Sequence, residues 1–148
     1  MLLKGSCHCR AVRFSLESET PFPYMWCYCS ICRKTAGGGG YAINIMGKAD
    51  TLKVKGTTRI YRATRGGGER HFCPKCAAAL WVWDSRWPAW VYPFASAIDT
   101  PLPKPKERQL IFMGSRANWA HVPEGRRFRG YPQEAIIDWH RKRGLLRP

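Results

Sequence analysis

Most of the chain consists of short segments in which apolar and polar residues alternate. Val12, Phe14 and Leu16 alternate with polar residues, which is the two-residue period of a half-buried strand. Further short strands are predicted at about residues 41–45, 52–54, 59–63, 80–83, 90–94 and 109–112. The prolines expected to break the chain between strands are Pro21, Pro23, Pro88, Pro101, Pro103 and Pro105.

One helix is predicted, at the C-terminal end of the chain. Pro132 suits its first position, Ile136 and Trp139 share one face, and Gly144 is placed to end it at about residue 143. The fold class expected from the pattern is therefore a mostly β domain with a short C-terminal helix.

Length and composition are those of a compact protein. A chain of 148 residues with 45% apolar and 13% aromatic residues fits one globular domain spanning residues 1–148. The longest apolar stretches, such as residues 77–83, are too short to cross a bilayer. Polar residues begin at Lys4, so no signal-peptide core is apparent, and we expect a cytoplasmic protein with no membrane partner.

The net charge is strongly positive. The chain has 25 basic and 10 acidic side chains, which gives a formal charge of +15. Such a field attracts anionic partners, and both nucleic acid and a small anionic thiol such as glutathione meet that description. Charge alone does not choose between them.

Seven cysteines carry the clearest chemical signal. They form three groups, Cys7 with Cys9, then Cys27 with Cys29 and Cys32, and finally Cys73 with Cys76. A Cys-x-Cys pair placed in a strand points both thiols to one face, and a Cys-x-x-Cys turn grips an ion from a tight loop. In a reducing compartment such groups indicate metal ligands rather than disulfides.

Thiolate sites suit zinc or iron–sulfur clusters, and seven cysteines divide better into a closed four-ligand zinc site and an open three-ligand one. Two divisions fit the spacing. In one, Cys29, Cys32, Cys73 and Cys76 make a zinc ribbon and the other three are left over. In the other, Cys7 and Cys9 join Cys73 and Cys76, and the remaining three form a compact triad.

Four motifs resemble the glutathione-dependent formaldehyde-activating enzyme family. They are Gly5-Ser-Cys-His-Cys9, Cys27-Tyr-Cys-Ser-Ile-Cys-Arg-Lys34, Phe72-Cys-Pro-Lys-Cys76, and a C-terminal signature of residues 111–115, Trp119 and Gly130-Tyr-Pro132. The likeness covers about residues 4–132 and leaves a helical extension at about residues 132–144. It implies an Mss4-like fold of layered antiparallel sheets tied together by zinc.

The resemblance also assigns the metal ligands and the activity. It implies two zinc ions, a structural one held by Cys7, Cys9, Cys73 and Cys76, and a catalytic one held by Cys27, Cys29 and Cys32. The implied reaction is the reversible condensation of glutathione with formaldehyde to S-hydroxymethylglutathione, a carbon–sulfur lyase activity with glutathione as co-substrate. Arg33, Lys34 and Arg70 flank the cysteine motifs and are candidate anchors for the glutathione carboxylates.

Four residues depart from the family pattern. Arg10 and Ala77 stand where glycine is usual after the second cysteine of a pair, and Ala78 stands where a hydroxyl residue is common. Tyr28 replaces a frequent histidine between two of the triad cysteines, so the surroundings of the open site are expected to differ.

Two rival functions fit parts of the sequence. A zinc ribbon with basic charge and aromatic residues describes many nucleic-acid-binding domains, although such a module does not need a second three-cysteine site. A scaffold that binds a protein partner would use zinc only for folding. We expect a small-molecule thiol or aldehyde substrate, and the sequence leaves the oligomeric state open.

Overall fold

The computed structural model describes residues 1–146, which form a mostly β protein with two short helices. The strands are β1 (Leu2–Ser6), β2 (Arg13–Glu17), β3 (Thr20–Cys27), β4 (Ala42–Lys48), β5 (Lys53–Lys55), β6 (Arg59–Tyr61), β7 (Glu69–Phe72), β8 (Ala79–Trp83), β9 (Trp90–Pro93), β10 (Gln109–Ile111) and β11 (Arg126–Arg127). The helices are α1 (Ser30–Ala36) and α2 (Ile136–Lys142).

The strands form two sheets. The smaller sheet has the order β1-β2-β5, and the larger has the order β11-β10-β3-β4-β9-β8-β7-β6. Neighbouring strands are antiparallel except at β10, which runs parallel to both β3 and β11. The predicted mostly β, layered architecture is confirmed, and the larger sheet is mixed rather than purely antiparallel.

The two sheets share a hydrophobic core. Phe14 and Leu16 on β2 point inward and are almost fully buried, as the alternating pattern predicts. The Phe14 ring meets the Trp81 ring of β8 edge to face, with their centroids 5.0 Å apart. Burial of one such large apolar side chain contributes about 1.5–3 kcal/mol. Gly5 lies directly beneath this contact, because an added Cβ would lie 2.3 Å from the Phe14 ring.

Strand β3 contradicts the expectation that Pro21 and Pro23 break the chain. Both prolines lie inside β3, where its pairing with β4 shifts register between Thr20 and Met25. A register shift leaves strand positions without ladder hydrogen bonds, and proline can occupy such positions because it has no N–H to donate. The prediction was wrong because proline was treated as a breaker irrespective of pairing.

The prediction of a single helix was also wrong. Helix α1 spans only seven residues, which is too short for an amphipathic pattern to reveal. Helix α2 begins at Ile136, after an N-cap at Ala135, so Pro132 precedes the helix instead of starting it. Its end is confirmed at Gly144, which has a φ of 62°.

Helix α2 is attached to β3 through buried aromatic contacts. The rings of Tyr24 and Trp139 stack with centroids 4.8 Å apart, and the Tyr24 hydroxyl and Nε2 of His140 share a 2.5 Å hydrogen bond. His140 has no exposed surface, and burial lowers its pKa to about 4, with the nearby Arg143 charge as a second cause. The imidazole is therefore held in its neutral form.

Among residues 1–146, no helix has both the length and the apolar character that a membrane span requires.

The depressed pKa of His140 predicts a stability that depends on pH. An unfolded histidine titrates near pH 6.5, so this contribution is complete above that pH and is lost as the pH falls toward 4. Between pH 7 and 5 we expect the wild type to lose about 2 kcal/mol more unfolding free energy than His140→Gln. Urea unfolding of both zinc-loaded proteins at the two pH values measures this difference. Equal losses would show that His140 is not the titrating group.

Candidate metal centres

Four cysteines meet where the two sheets come together. Cys7 and Cys9 follow β1 of the smaller sheet, and Cys73 and Cys76 lie in the turn between β7 and β8 of the larger sheet. All four sulfur atoms lie within 4.8 Å of one another. The Sγ atoms of Cys7 and Cys9 are 3.5 Å apart, and those of Cys9 and Cys73 are 3.7 Å apart.

The turns that present these cysteines have matching hydrogen bonds. In the first, the Arg10 N–H donates to the Cys7 carbonyl at 2.9 Å, and the Cys7 N–H donates to the Val12 carbonyl at 3.0 Å. In the second, Ala77 donates to the Cys73 carbonyl at 2.9 Å, and Cys73 donates to Ala78 at 3.0 Å. Two local turns of one design therefore face each other across the cluster.

The two turns explain why glycine is usual at the positions of Arg10 and Ala77. Arg10 and Ala77 have φ values of 59° and 57°, which lie in the left-handed region that favours glycine. Cys7 and Cys9 belong to this turn rather than to a strand, so the strand-alternation argument for their shared direction was wrong. The left-handed residue after each pair turns the backbone so that both sulfurs face one point.

The four-sulfur cluster fits zinc. A tetrahedral zinc with Zn–S bonds of about 2.3 Å places its sulfur atoms about 3.8 Å apart, close to the separations found here. Cys7 and Cys73 are buried, and the Val12 N–H donates to the Cys7 sulfur at 3.2 Å. Donors of this kind stabilise thiolate over thiol, as a metal site requires.

The remaining three cysteines form a second cluster. Cys27 ends β3, Cys29 is the N-cap of α1, and Cys32 lies in the first turn of that helix. Their sulfur atoms also lie within 4.8 Å of one another. Cys27 and Cys32 are buried, whereas Cys29 is partly exposed and accepts a 3.2 Å hydrogen bond from the Cys32 N–H. The structure thus groups the sulfurs as four and three, and not as the ribbon of Cys29, Cys32, Cys73 and Cys76.

The three thiols have opposed titration behaviour. Hydrogen bonds from Cys27 and Cys32 lower the pKa of Cys29, with the Cys32 N–H adding to the effect. The pKa of Cys27 is raised by its contacts with Cys29 and Cys32 and by burial. Because adjacent thiolates repel one another, one negative charge is favoured here unless a cation compensates the others. A divalent cation would supply that compensation, so the donor set fits zinc with one coordination position left for water or substrate.

Tyr28 lies between two triad cysteines but points away from them into the protein. Its side chain is fully buried, and its hydroxyl donates a 2.8 Å hydrogen bond to the carbonyl of His121. Its ring lies against that of Tyr41, with centroids 5.5 Å apart. This departure from the family pattern therefore connects the triad loop to the C-terminal segment.

The candidate anchors occupy different positions. Arg70 on β7 donates to the Cys32 sulfur at 3.6 Å and lines a cavity of about 270 Å³ together with Thr35, Ala79 and Phe94. Arg33 and Lys34 lie on α1 but do not line that cavity. Of the three candidate anchors, Arg70 both contacts a triad sulfur and lines the cavity. The anchoring role of Arg33, Lys34 and Arg70 stays a prediction.

Two residues near the triad had no role in the sequence-based account. Phe112 packs against the buried group that contains Cys27 and Cys32, and its ring meets the Tyr131 ring at a centroid distance of 4.6 Å. Tyr131 belongs to the Gly130-Tyr-Pro132 signature, which the sequence associated with the family without a function. Only the fold brings it to the cysteines.

A model of the family described as "Glutathione-dependent formaldehyde-activating enzyme" matches residues 2–115 of the chain. The chain belongs to this family. The match includes all seven cysteines and Arg33, Lys34 and Arg70, and it ends before Tyr131.

Two known proteins are similar to the chain. A protein of Halomonas elongata named "Putative glutathione-dependent formaldehyde-activating enzyme" is 56% identical over 154 residues, which covers 98% of both chains. A crystal structure of a Rhodobacter sphaeroides protein has a TM-score of 0.57 and 25% identity. That likeness covers 68% of the present chain and 91% of the other.

The strained turns predict an unusual stabilising substitution. A non-glycine residue in the left-handed region costs about 1–2 kcal/mol, and Ala77→Gly would remove this strain. Glycine also raises the conformational entropy of the unfolded chain, which offsets part of the gain, so we expect a net stabilisation of the zinc-loaded protein by about 0.5–1 kcal/mol. Ala78→Gly is the matched control, because Ala78 does not have a positive φ and should lose stability. Thermal unfolding measures both. A lower stability for Ala77→Gly would contradict the role assigned to this turn.

Proposed function

We propose that the protein is a zinc-dependent carbon–sulfur lyase that forms and breaks S-hydroxymethylglutathione from glutathione and formaldehyde. The observation that carries this proposal is the convergence of three sulfurs, one of them partly exposed, beside an open cavity and apart from a complete four-sulfur cluster. Family membership supports the choice of glutathione and formaldehyde. A related thiol adduct would use the same site.

In this proposal the chain holds two zinc ions with different tasks. Cys7, Cys9, Cys73 and Cys76 hold a structural ion, and the triad Cys27, Cys29 and Cys32 holds the catalytic one. When bound in the triad, zinc favours the thiolate form of an incoming thiol and supplies Lewis acidity. The rest of the chemistry depends on how the chain binds and orients the two reactants.

The reaction itself needs no oxidant or reductant. The glutathione sulfur forms a bond to the carbonyl carbon of formaldehyde, and the electron pair of the C=O π bond moves to the oxygen. The thiol gives up one proton and the oxygen takes up one, so the product is a neutral hemithioacetal. Breakdown of the adduct follows the same path in reverse. The protein has only to bring sulfur and carbon together and stabilise charge on the oxygen.

Arg70 is the best placed of the proposed glutathione anchors. Its side chain is half-buried, lines the cavity and makes no ion pair with residues 1–146. A guanidinium binds a carboxylate through two parallel hydrogen bonds, which gives orientation as well as affinity. Arg33 and Lys34 on α1 would then provide further positive charge. The +15 charge of the whole chain favours the approach of this anionic peptide.

We propose that the protein is located in the cytoplasm, because seven free thiols persist in a reducing compartment. An enzyme that acts on a small molecule has a use for a second, open metal site at the triad. A scaffold for a protein partner or a nucleic-acid-binding module would need only the four-sulfur cluster.

The separation of the two clusters can be tested with Cys29→Ser. Serine still offers an oxygen to cap α1, so the helix should be retained while the triad loses one sulfur. We expect zinc to fall from about two ions to about one per chain, circular dichroism to be unchanged, and turnover of the glutathione adduct to be lost. Cys73→Ser is the control and should unfold the protein.

If Cys29→Ser unfolds the protein, the triad is required for folding, which would contradict the assignment of a structural and a catalytic cluster. A folded variant with full adduct turnover would contradict the proposed lyase function, and so would a folded wild type with two zinc ions and no turnover.

The anchoring role of Arg70 predicts a loss of affinity. Arg70→Met should raise the Kd of glutathione by about 10- to 150-fold, because a charged hydrogen-bonded contact contributes about 1.5–3 kcal/mol. Arg141→Met is a matched control, since Arg141 lies on α2 and pairs there with Asp138. Calorimetric titration with glutathione measures both variants after zinc content is checked. An unchanged Kd for Arg70→Met would remove Arg70 from the binding site.

A further inference from the structure

A group of aromatic side chains lies beside the three-cysteine cluster. Phe112 packs against the buried group that includes Cys27 and Cys32. The Tyr131 ring meets Phe112 edge to face, with centroids 4.6 Å apart and an interplanar angle of 74°. The Trp87 ring also lies near Tyr131, at a centroid distance of 6.5 Å. Tyr131 therefore has two aromatic neighbours, and Phe112 connects it to the triad.

The backbone fixes Tyr131 to the strand that pairs with the first triad cysteine. Ile111 on β10 is the register partner of Cys27, and Phe112 follows directly. The Phe112 N–H donates a 3.0 Å hydrogen bond to the carbonyl of Gly130, the residue before Tyr131. Phe112 has φ and ψ of 58° and 38°, a left-handed conformation that is costly for a bulky residue. Strain of this kind persists where the surroundings require one specific geometry.

The phenol of Tyr131 is free to act on a ligand. The side chain is 63% exposed, and its hydroxyl makes no hydrogen bond with the described residues 1–146. Loss of water around the phenol raises its pKa, and so does the negative charge of the sulfurs of Cys27, Cys32 and Cys29, while Arg86 opposes them. The phenol therefore keeps its proton at neutral pH and is a hydrogen-bond donor.

We infer that the Tyr131 hydroxyl donates a hydrogen bond to the aldehyde-derived oxygen of the thiol adduct held in the three-cysteine site. This inference rests on the proposed function and adds a residue to it. The triad binds at the sulfur side of the adduct, and Arg70 serves its peptide part. Neither gives the oxygen a donor, and Tyr131 is an unpaired donor whose ring packs against Phe112, next to the buried Cys27 and Cys32.

The donor would act on the step in which charge develops. As the sulfur bonds to the carbonyl carbon, the π electron pair moves onto the oxygen, which becomes a stronger acceptor. A donor already in place stabilises that charge more than it stabilises the neutral aldehyde, so it accelerates the reaction in both directions. Tyr131 keeps its own proton throughout, and the hydroxyl proton of the product comes from water.

The test is Tyr131→Phe, which removes only the hydroxyl and keeps the ring contacts with Phe112 and Trp87. Single donors of this type contribute up to about 10²–10³ in rate, and for an exposed donor we expect a fall in kcat of about 10–100-fold. The exchange rate of the glutathione–formaldehyde adduct measured by NMR gives kcat. Affinity for S-methylglutathione, which has no such oxygen, and zinc content should stay within about twofold.

Tyr92→Phe is the matched control. Tyr92 lies close enough to Tyr131 for the two phenols to influence each other, but the triad sulfurs are not among the causes of its raised pKa. The Tyr92→Phe variant should therefore keep the kcat of the wild type.

Three outcomes would overturn the inference. One is full kcat in Tyr131→Phe, and another is an equal loss in Tyr92→Phe. The third is a Tyr131→Phe variant that loses affinity for S-methylglutathione, since the hydroxyl would then serve the peptide. Absence of turnover in the zinc-loaded wild type would instead contradict the proposed function on which the inference rests.

Discussion

The arrangement of the whole molecule depends on the meeting of four sulfur atoms between two sheets. Cys7 and Cys9 come from the end of the smaller sheet, and Cys73 and Cys76 from a turn of the larger one, 64 residues away for the pair Cys9 and Cys73. An ion bound there would close a long loop, whose closure costs conformational entropy that the metal bonds offset. The core contact of Phe14 with Trp81 lies between the same two sheets, so burial and metal binding act together.

In the proposed division, the first cluster provides four sulfur ligands and the other three cysteines are left for chemistry. These three come from the segment that joins β3 to α1, and its first cysteine, Cys27, pairs with Ile111 of β10 in the larger sheet. We therefore assign the four-sulfur cluster to the connection between the sheets and the triad to catalysis. Loss of a triad sulfur is expected to leave that connection intact, which a shared site would not allow.

The grouping of the cysteines was easier to predict than the helices and strands were. Cysteine spacing is a local pattern, so a few residues are enough to predict a turn that can bind an ion. The end of α2 at Gly144 could be predicted for the same reason. Prolines inside β3 and the seven-residue α1 were missed, because register shifts and short helices depend on pairing partners that the chain supplies elsewhere. Tyr131 shows the same limit for function: it lies about 100 residues after the triad, and only folding brings its ring to Phe112.

In the proposed division, one cluster holds zinc with four sulfurs and the other holds zinc with three. X-ray absorption at the zinc edge of the wild-type protein distinguishes this division from a single zinc site, because it counts the sulfurs around zinc. We expect about two zinc ions per chain with an average of about 3.5 sulfurs each, and an average near four once a thiol substrate is added. One zinc per chain with four sulfurs, unchanged by the thiol, would contradict it.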